Sequence, residues 1–350
     1  MSSFFDRFFK DVGIDLGTAN TLIYVKNRGL TINEPSVAAV NQKTNQILAV
    51  GEDAKKMLGR TPAHINVVRP LVNGVISDFE MTREMLRQFL RRLQNTSGSL
   101  TSYRRGILAI PNNLTEVERK SVEDAALSAG CAKVYLIEQP IAAALGANLP
   151  IDTPTASLII DIGGGTTDIA VISMGGTVIS RTLKVAGDKF NNDILQFVRD
   201  EFKMVIGEPT AEMAKIAVGS AIALDERMEV PIRGRDLSTG LPREIMIKNS
   251  HVRMAIHKSL RAISDAILEV IEGTPPELVG DMLKQGIYLC GGGALLRGLD
   301  QMVQKETAVT TMIAEDPLTC VVRGLGQIVD SFDRHRELLD NPLKPLEINL

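Results

Sequence analysis

The chain has 350 residues, of which 44% are hydrophobic and 23% charged, and its formal net charge is −3. That length is about twice a typical single domain, so two domains are expected, each with apolar residues enough for a core. The nearly balanced charge and a pI near 5.9 exclude the basic face that a DNA or RNA partner would require.

Cys131, Cys290 and Cys320 are widely spaced, form no CxxC pair and sit among small or apolar neighbours, as buried thiols in a reducing compartment do. His64, His251, His257 and His335 form neither HxxxH nor HExxH, so a metal hydrolase has no support. No apolar run approaches the roughly 18 residues of a membrane span, and the first residues lack the apolar stretch of a signal peptide. The expectation is a cytoplasmic protein that is not threaded through a membrane.

In chain order, the N-terminus comes first. Phe4, Phe5, Phe8 and Phe9 are four of only 10 phenylalanines, and their spacing predicts one face of a short helix, with Asp6, Arg7 and Lys10 elsewhere around it. Such a face either packs on the body of the protein or lies in a membrane interface; the sharper expectation is an interfacial anchor. Burying four Phe contributes about 6–12 kcal/mol at most, and ordering about ten residues costs a comparable amount. A single copy should bind a membrane weakly, and many linked copies firmly. Leu100 and Tyr103, in a polar loop, form a weaker candidate contact.

Val12-Gly13-Ile14-Asp15-Leu16-Gly17-Thr18-Ala19-Asn20 runs into the apolar stretch Thr21 to Val25. Much later, Leu158-Ile159-Ile160-Asp161-Ile162-Gly163-Gly164-Gly165-Thr166-Thr167-Asp168 runs into Ile169 to Ile172. Each predicts a β-hairpin with an Asp-x-Gly tip. The two aspartates stand 146 residues apart, which suggests a duplicated domain whose halves open alike.

Between the hairpins, Ser77 or Asp78 can cap a helix that carries Met85, Leu86, Phe89, Leu90 and Leu93 on one face. Ile107 to Ile110 reads as a buried strand, and Thr115-Glu116-Val117-Glu118 as a capping box for a helix ending at Gly130. Val134 to Ile137 is the next strand, and Glu138-Gln139-Pro140 turns into a helix from Ile141 to Ala147. Past the second hairpin, helices are predicted over 189–202 and 211–223, and a β-hairpin over 229–248. A long helix over 251–271 follows, then a strand over 287–290 that runs into Gly291-Gly292-Gly293, with a helix starting at Ala294.

Two glycine-rich hairpin tips suit the phosphates of a nucleotide, because glycine admits close backbone approach and successive N–H groups form a nest for anionic oxygens. Asp15 and Asp161 would repel phosphate, so their sensible role is to hold the waters around Mg²⁺, which keeps much of its hydration shell. One Asp-x-Gly turn alone is an ordinary hairpin; two matched copies and a third glycine run are far more specific. The third run is either a tight connection or a backbone surface laid against adenine and ribose. Neither GxxxxGK[ST] nor GxGxxG is present, which disfavours P-loop and Rossmann classes.

With Glu-Gln-Pro-Ile-Ala-Ala-Ala and Gly-Gly-Gly-Ala-Leu-Leu-Arg-Gly-Leu added, these motifs resemble the actin/hexokinase/heat-shock chaperone ATPase superfamily. Asp236 to Arg243 and Thr274 to Leu278 are similar to the bacterial rod-shape-determining actins of the MreB family, and the likeness runs from about Val12 to about Asp330. It implies an α/β actin-like ATPase fold of two duplicated domains, four subdomains in all, around a nucleotide cleft. Domain I would be 1–150 plus about 319–350, with a small subdomain about 31–72; domain II would be 151–318, with a small subdomain about 185–249. Gly17, Thr18, Ala19 and Asn20 match the first phosphate loop; Gly163, Gly164, Gly165 and Thr166 match the second. Glu212 and Lys215 match the pair flanking the nucleoside, though without the resemblance they read as an ordinary solvated helix pair. Gly291, Gly292, Gly293, Ala294 and Leu295 match the adenosine loop. Where these actins carry Glu-Glu-Pro, this chain has Glu138-Gln139-Pro140; a glutamine cannot take a proton but can orient the attacking water, with Thr166 as a second contact.

The resemblance implies ATP and Mg²⁺ as cofactors and slow hydrolysis linked to head-to-tail homopolymers. It also implies a place on the inner face of the cell membrane beside membrane proteins of the cell-wall elongation machinery, with no nucleic acid partner. A small-molecule kinase of the same superfold is the alternative, but no catalytic aspartate beside an acceptor pocket is evident. A chaperone would need a C-terminal peptide-binding domain, and the expectation is that this chain ends too soon for one.

Overall fold

The structure is a computed structural model that describes residues 9–97, 102–224 and 227–340. The chain divides into two units, Met1–Leu149 with Thr319–Leu350, and Pro150–Leu318. Unit 1 opens with three antiparallel strands, β1 (Phe9–Leu16), β2 (Asn20–Val25) and β3 (Gly29–Pro35). A smaller sheet of β4 (Ala38–Asn41), β5 (Gln46–Val50) and β6 (Ile65–Val68) follows, with α1 (Glu52–Met57) over it. The ribbon of β7 (Leu71–Val72) and β8 (Val75–Ile76) leads into α2 (Phe79–Ser97). Asp78 caps α2 by accepting from the Met81 N–H at 3.0 Å, and the predicted apolar face, Met85 to Leu93, is buried.

Then come β9 (Ser102–Ile110), α3 (Glu116–Ala129), β10 (Cys131–Glu138) and α4 (Gln139–Gly146). The predicted capping box starts α3: Thr115 Oγ1 accepts from the Glu118 N–H, and the Glu118 carboxylate accepts from the Thr115 N–H. The main sheet runs β10-β9-β1-β2-β3, with β1, β9 and β10 parallel. At the start of β1, buried Asp11 accepts from Arg104 at 3.0 Å and Arg105 at 2.6 Å. Burial alone would raise its pKa, but those two bonds outweigh it and hold the carboxyl below the ordinary range.

Unit 2 repeats the plan. Strands β11 (Ser157–Ile162), β12 (Thr167–Ser173) and β13 (Gly176–Leu183) form the antiparallel opening. Next are α5 (Gly187–Phe202), β14 (Met204–Val205), α6 (Glu208–Val218) and the hairpin of β15 (Glu229–Asp236) and β16 (Pro242–Lys248). Helices α7 (Asn249–Glu272) and α8 (Pro276–Gln285), strand β17 (Ile287–Cys290), helix α9 (Leu299–Thr307) and strand β18 (Thr311–Ile313) complete the unit. Its sheet runs β13-β12-β11-β17-β18, strand for strand the order of unit 1, with β11, β17 and β18 parallel. The echo between Asp15 and Asp161 is thus a duplication of a whole sheet.

Four expectations change. Helix α6 covers Glu208–Val218, not 211–223, because Gly219 leaves helical geometry at ψ 144° and other groups take the last carbonyls. Arg297 donates to those of Ile216 and Gly219, and Asn249 to that of Val218. Ala294 starts no α-helix: Gly292–Leu295 is one 3₁₀ turn, and α9 begins after Gly298 at φ +71°. Phe9 opens β1, paired with Ser102, so a helical face cannot extend through it; Phe4, Phe5, Phe8 and Leu100 lie outside the described residues. Tyr103 is no lipid contact, since it is 2% exposed and its hydroxyl donates to the Leu90 carbonyl at 3.2 Å. Among the described residues no helix is long and apolar enough to cross a membrane.

The chain returns to unit 1 as α10 (Cys320–Asp330), which crosses α4 backbone to backbone. A methyl at Gly324 would lie 1.8 Å from the Ala142 carbonyl oxygen, and one at Gly146 1.8 Å from that of Cys320. Neither helix can yield without moving β1 or β10. Gly324→Ala should therefore destabilise the protein by about 2–3 kcal/mol, a fall of roughly 5–10 °C in Tm. An unchanged thermal melt would show that the helices separate freely.

Candidate functional site

In both units the tip loop lies at the C-terminal ends of parallel strands. Asp15, Ala109 and Ile137 stand in register across β1, β9 and β10, so the Gly17–Asn20 loop and the Glu138-Gln139 turn share one sheet edge. Asp161 pairs with Cys290 across β11 and β17, which brings the Gly163–Thr166 loop beside Gly291. This is where open α/β sheets bind ligands.

The second loop closes on itself when the Gly163 N–H donates to the Thr166 carbonyl at 2.9 Å. Its direction is set from α5. The first N–H groups of that helix, on Gly187 and Asp188, donate to the carbonyls of Gly163 (3.2 Å) and Gly164 (2.8 Å). In a trans peptide the carbonyl and the following N–H point opposite ways, so the N–H groups of Gly164 and Gly165 are turned away from α5. Two adjacent donors on glycine backbone, turned the same way, have the geometry of an anion nest.

The nucleoside-flanking candidates meet the first turns of α5, the helix that holds this loop. Lys215 Nζ donates to Glu212 Oε2 at 2.7 Å and to the Gly187 carbonyl at 3.1 Å, so the pair is not a freely solvated one. Gly291 sits at φ +77°, where a Cβ would lie 2.4 Å from Asp161 Oδ1 and 2.4 Å from the Ile162 carbonyl. Glycine is required there for both reasons. Ala294 is buried and Leu295 exposed at the end of this turn. Unit 2 thereby gathers Asp161, the Gly163–Thr166 loop, Glu212, Lys215 and Gly291 to Leu295.

Asp161 is buried and lies directly across the hairpin from Asp168, also buried. Burial first, and then the Asp161 charge, push the Asp168 carboxyl up to about 7, against hydrogen bonds from Thr182 and Thr166. Carboxylates are hard donors that suit Mg²⁺ with its water shell kept. No group of three or more His, Cys, Asp or Glu among the described residues is placed to hold a metal ion directly. The three cysteines are buried, and burial lifts the Cys131 thiol to about 12.

Unit 1 clamps its loop differently. The Gly17 N–H donates to the Asn20 carbonyl at 3.1 Å, closing the turn. Buried Ser36, just beyond β3, donates from its hydroxyl to the Gly17 carbonyl at 2.6 Å and from its N–H to the Ala19 carbonyl at 2.9 Å. The same peptide geometry turns the N–H groups of Thr18 and Asn20 away from Ser36. Thr21 Oγ1 lies 2.9 Å from the Ser36 hydroxyl, and the Gly74 N–H donates to Thr18 Oγ1 at 2.9 Å. Gln139 is half-buried in the first turn of α4, behind Glu138, whose carboxylate accepts from Asn112 at 2.9 Å.

The profile of the MreB/Mbl protein family matches residues 9–337. The chain belongs to the MreB/Mbl family. It is 47% identical over 327 residues to the cell shape-determining protein Mbl of Bacillus subtilis, covering 93% of this chain and 98% of that one. It is 44% identical over 339 residues to the cell shape-determining protein MreB of Escherichia coli K12, covering 96% and 97%. Among solved structures, MreB5 of Spiroplasma citri bound to ADP superposes with a TM-score of 0.89 at 39% identity, covering 95% of this chain and 99% of that one. The MamK double helical filament, at 21% identity and a TM-score of 0.78 over 92% and 99%, shares the fold. That fold is the actin-like ATPase fold.

In this MreB/Mbl chain the sequence motifs mark the loops but miss their clamps. Ser36 gave no signal in the sequence, and Gly187 lies two residues before the helix expected over 189–202. Asp168 had one: it is an aspartate in an otherwise apolar strand. Removing the Ser36 hydroxyl leaves the Gly17 carbonyl and Thr21 short of a partner, a loss of about 1–3 kcal/mol. In Ser36→Ala, amide hydrogen exchange of residues 17–20 should quicken at least roughly tenfold, with residues 163–166 unchanged. Equal exchange in both proteins would remove Ser36 as the clamp.

Proposed function

We propose that this chain is an ATP-dependent cytoskeletal filament protein that helps determine rod cell shape by organising cell-wall synthesis at the membrane. The observation that carries the reading is the second loop, whose glycine N–H groups are turned outward by α5 beside the Glu212–Lys215 pair. Family membership supports it, because its relatives are cell shape-determining proteins and one of them was solved with ADP. The MamK double helical filament, on the same fold, supports self-association. Heterologous contacts that do not close generate open polymers.

In this reading the N–H groups of Thr18, Asn20, Gly164 and Gly165 receive phosphate oxygens. Asp15 and Asp161 order the waters of Mg²⁺, and Glu212, Lys215 and Gly291 to Leu295 bound the nucleoside. When bound, Mg-ATP would supply a phosphoanhydride whose cleavage disperses charge, and outward-turned glycine N–H groups are suited to stabilise it. Gln139 holds the attacking water by accepting its hydrogen while donating to another oxygen, with Thr166 as second contact. Glu138, fixed by Asn112, orients the turn that carries Gln139.

Membrane attachment belongs to the remaining phenylalanines, Phe4, Phe5 and Phe8, acting through avidity along a polymer. In a sedimentation assay the full chain should pellet with Mg-ATP alone and co-pellet with anionic vesicles. Deleting residues 2–8, which leaves β1 whole, should abolish vesicle binding and spare the polymer. A truncated chain that still co-pellets with vesicles would refute the anchor, and a full chain that never pellets would refute the filament.

Hydrolysis is tested at Gln139. Gln139→Ala should assemble with ATP yet release phosphate at least roughly tenfold more slowly, a rise of about 1.4 kcal/mol in the barrier. Gln139→Glu restores a proton acceptor and should hydrolyse at least as fast as the wild type. An alanine variant that melts lower but turns over at the wild-type rate would reduce Gln139 to a helix-start residue.

A further inference from the structure

Helices α5 and α6 are tied by a closed ring of polar contacts. From α6, Lys215 Nζ reaches the Gly187 carbonyl on the first turn of α5 at 3.1 Å. Glu212 Oε2 accepts from that ammonium at 2.7 Å. The same oxygen accepts from Asn191 Nδ2 at 2.6 Å, and Asn191 lies one turn along α5 from Gly187. The ring therefore starts and ends on α5. Its first member, Gly187, is also the residue whose N–H clamps the Gly163 carbonyl of the phosphate loop.

Asn191 is an unusual occupant. It is 2% exposed, follows buried Phe190 and stands three residues before buried Ile194, so packing alone would favour leucine. Its Oδ1 is buried without a hydrogen-bond partner. The amide cannot be turned over to relieve that oxygen, since the oxygen would then face the Glu212 carboxylate. A buried amide that leaves its acceptor unmatched is retained for the bond its N–H makes. Aspartate at this place would set a second carboxylate against Glu212. The chemistry therefore demands a neutral donor of this length.

We propose that Asn191 is a positioning residue that holds Glu212 for the sugar and base of a ribonucleoside triphosphate, and so joins nucleoside recognition to the phosphate loop through α5. The proposal rests on the reading of Glu212 and Lys215 as nucleoside contacts. Without the amide, Glu212 Oε2 loses one of its donors, the one fixed on α5, and its bond from the Lys215 ammonium comes from a flexible side chain that the Gly187 carbonyl also holds. The backbone clamp from Gly187 and Asp188 to the phosphate loop does not depend on the amide.

The test is a double-mutant cycle on the full chain, reading the Kd of Mg-ATP together with a thermal melt in the absence of nucleotide. Asn191→Leu and Glu212→Gln should each raise the Kd about tenfold. The double variant should bind within about twofold of Glu212→Gln alone, because the amide acts through the carboxylate. A Kd for Asn191→Leu equal to wild type, or losses in the double variant that multiply, would overturn the proposal and leave a packing role that only the melt reports. If the leucine chain does not fold, Asn191→Ser, whose hydroxyl is too short to reach Glu212, takes its place under the same criteria. If Glu212→Gln binds Mg-ATP like wild type, the reading of Glu212 itself falls and the proposal falls with it; if only Asn191→Leu is silent, the proposal alone falls.

Discussion

A planar trans peptide cannot aim its carbonyl and its N–H in the same direction, and both tip loops are built on that constraint. A carbonyl held from behind commits the neighbouring N–H to the front. The donors behind the second loop are the first N–H groups of α5, which a helix must in any case leave without an intrahelical partner. The same bonds satisfy the helix start and orient the nest. A Cβ on Gly187 would stand 3.4 Å from both Lys215 Nζ and the Gly163 carbonyl, so clamp and ion pair meet at one residue.

Duplication preserved the problem and changed the answer. Both hairpins present Asp-x-Gly, and both place a threonine six residues after the aspartate, Thr21 and Thr167. In unit 1 Thr21 meets the Ser36 hydroxyl, and serine supplies the rear donors. In unit 2 Thr167 donates to the Val185 carbonyl at 2.7 Å, just before the helix that supplies them. One loop is pinned by a side chain after a strand, the other by backbone at a helix start. A substitution can therefore loosen the first directly, whereas the second yields only if α5 shifts. The carboxyl pair differs too: Asp161 faces Asp168 across the hairpin, while Asp15 faces Leu22. Unit 2 keeps a second buried acid across its hairpin, where unit 1 has a leucine.

Most of this plan was legible in the residues. Hydrophobic period, the capping box at Thr115 and the Asp78 cap placed their elements because those signals are local. The repeated tip placed both loops because glycine and aspartate there answer to chemistry. What stayed hidden depends on partners distant in sequence. The end of α6 is set by Arg297 and Asn249, 78 and 31 residues from the carbonyls they take. Tyr103 looked exposed because its neighbours are polar, yet it fills the core under Leu90. Asn191 reads as one more polar residue on a helix until Glu212 is seen beside it.

The crossing of α4 and α10 fixes the order in which the molecule can be completed. Unit 1 is interrupted after Leu149 and resumes at Thr319, and the helix that resumes it buries Val322, Leu325, Ile328 and Val329 against β1 and α4. A chain synthesised from its N-terminus makes most of unit 1 first but cannot close that core until Cys320–Asp330 has left the ribosome. Unit 2, wholly encoded between the two pieces, has every strand of its sheet in hand earlier. Unit 1, though its first piece comes earlier in the chain, is thus the last to finish folding, and until then the bare Ala142–Gly146 face of α4 waits for its partner.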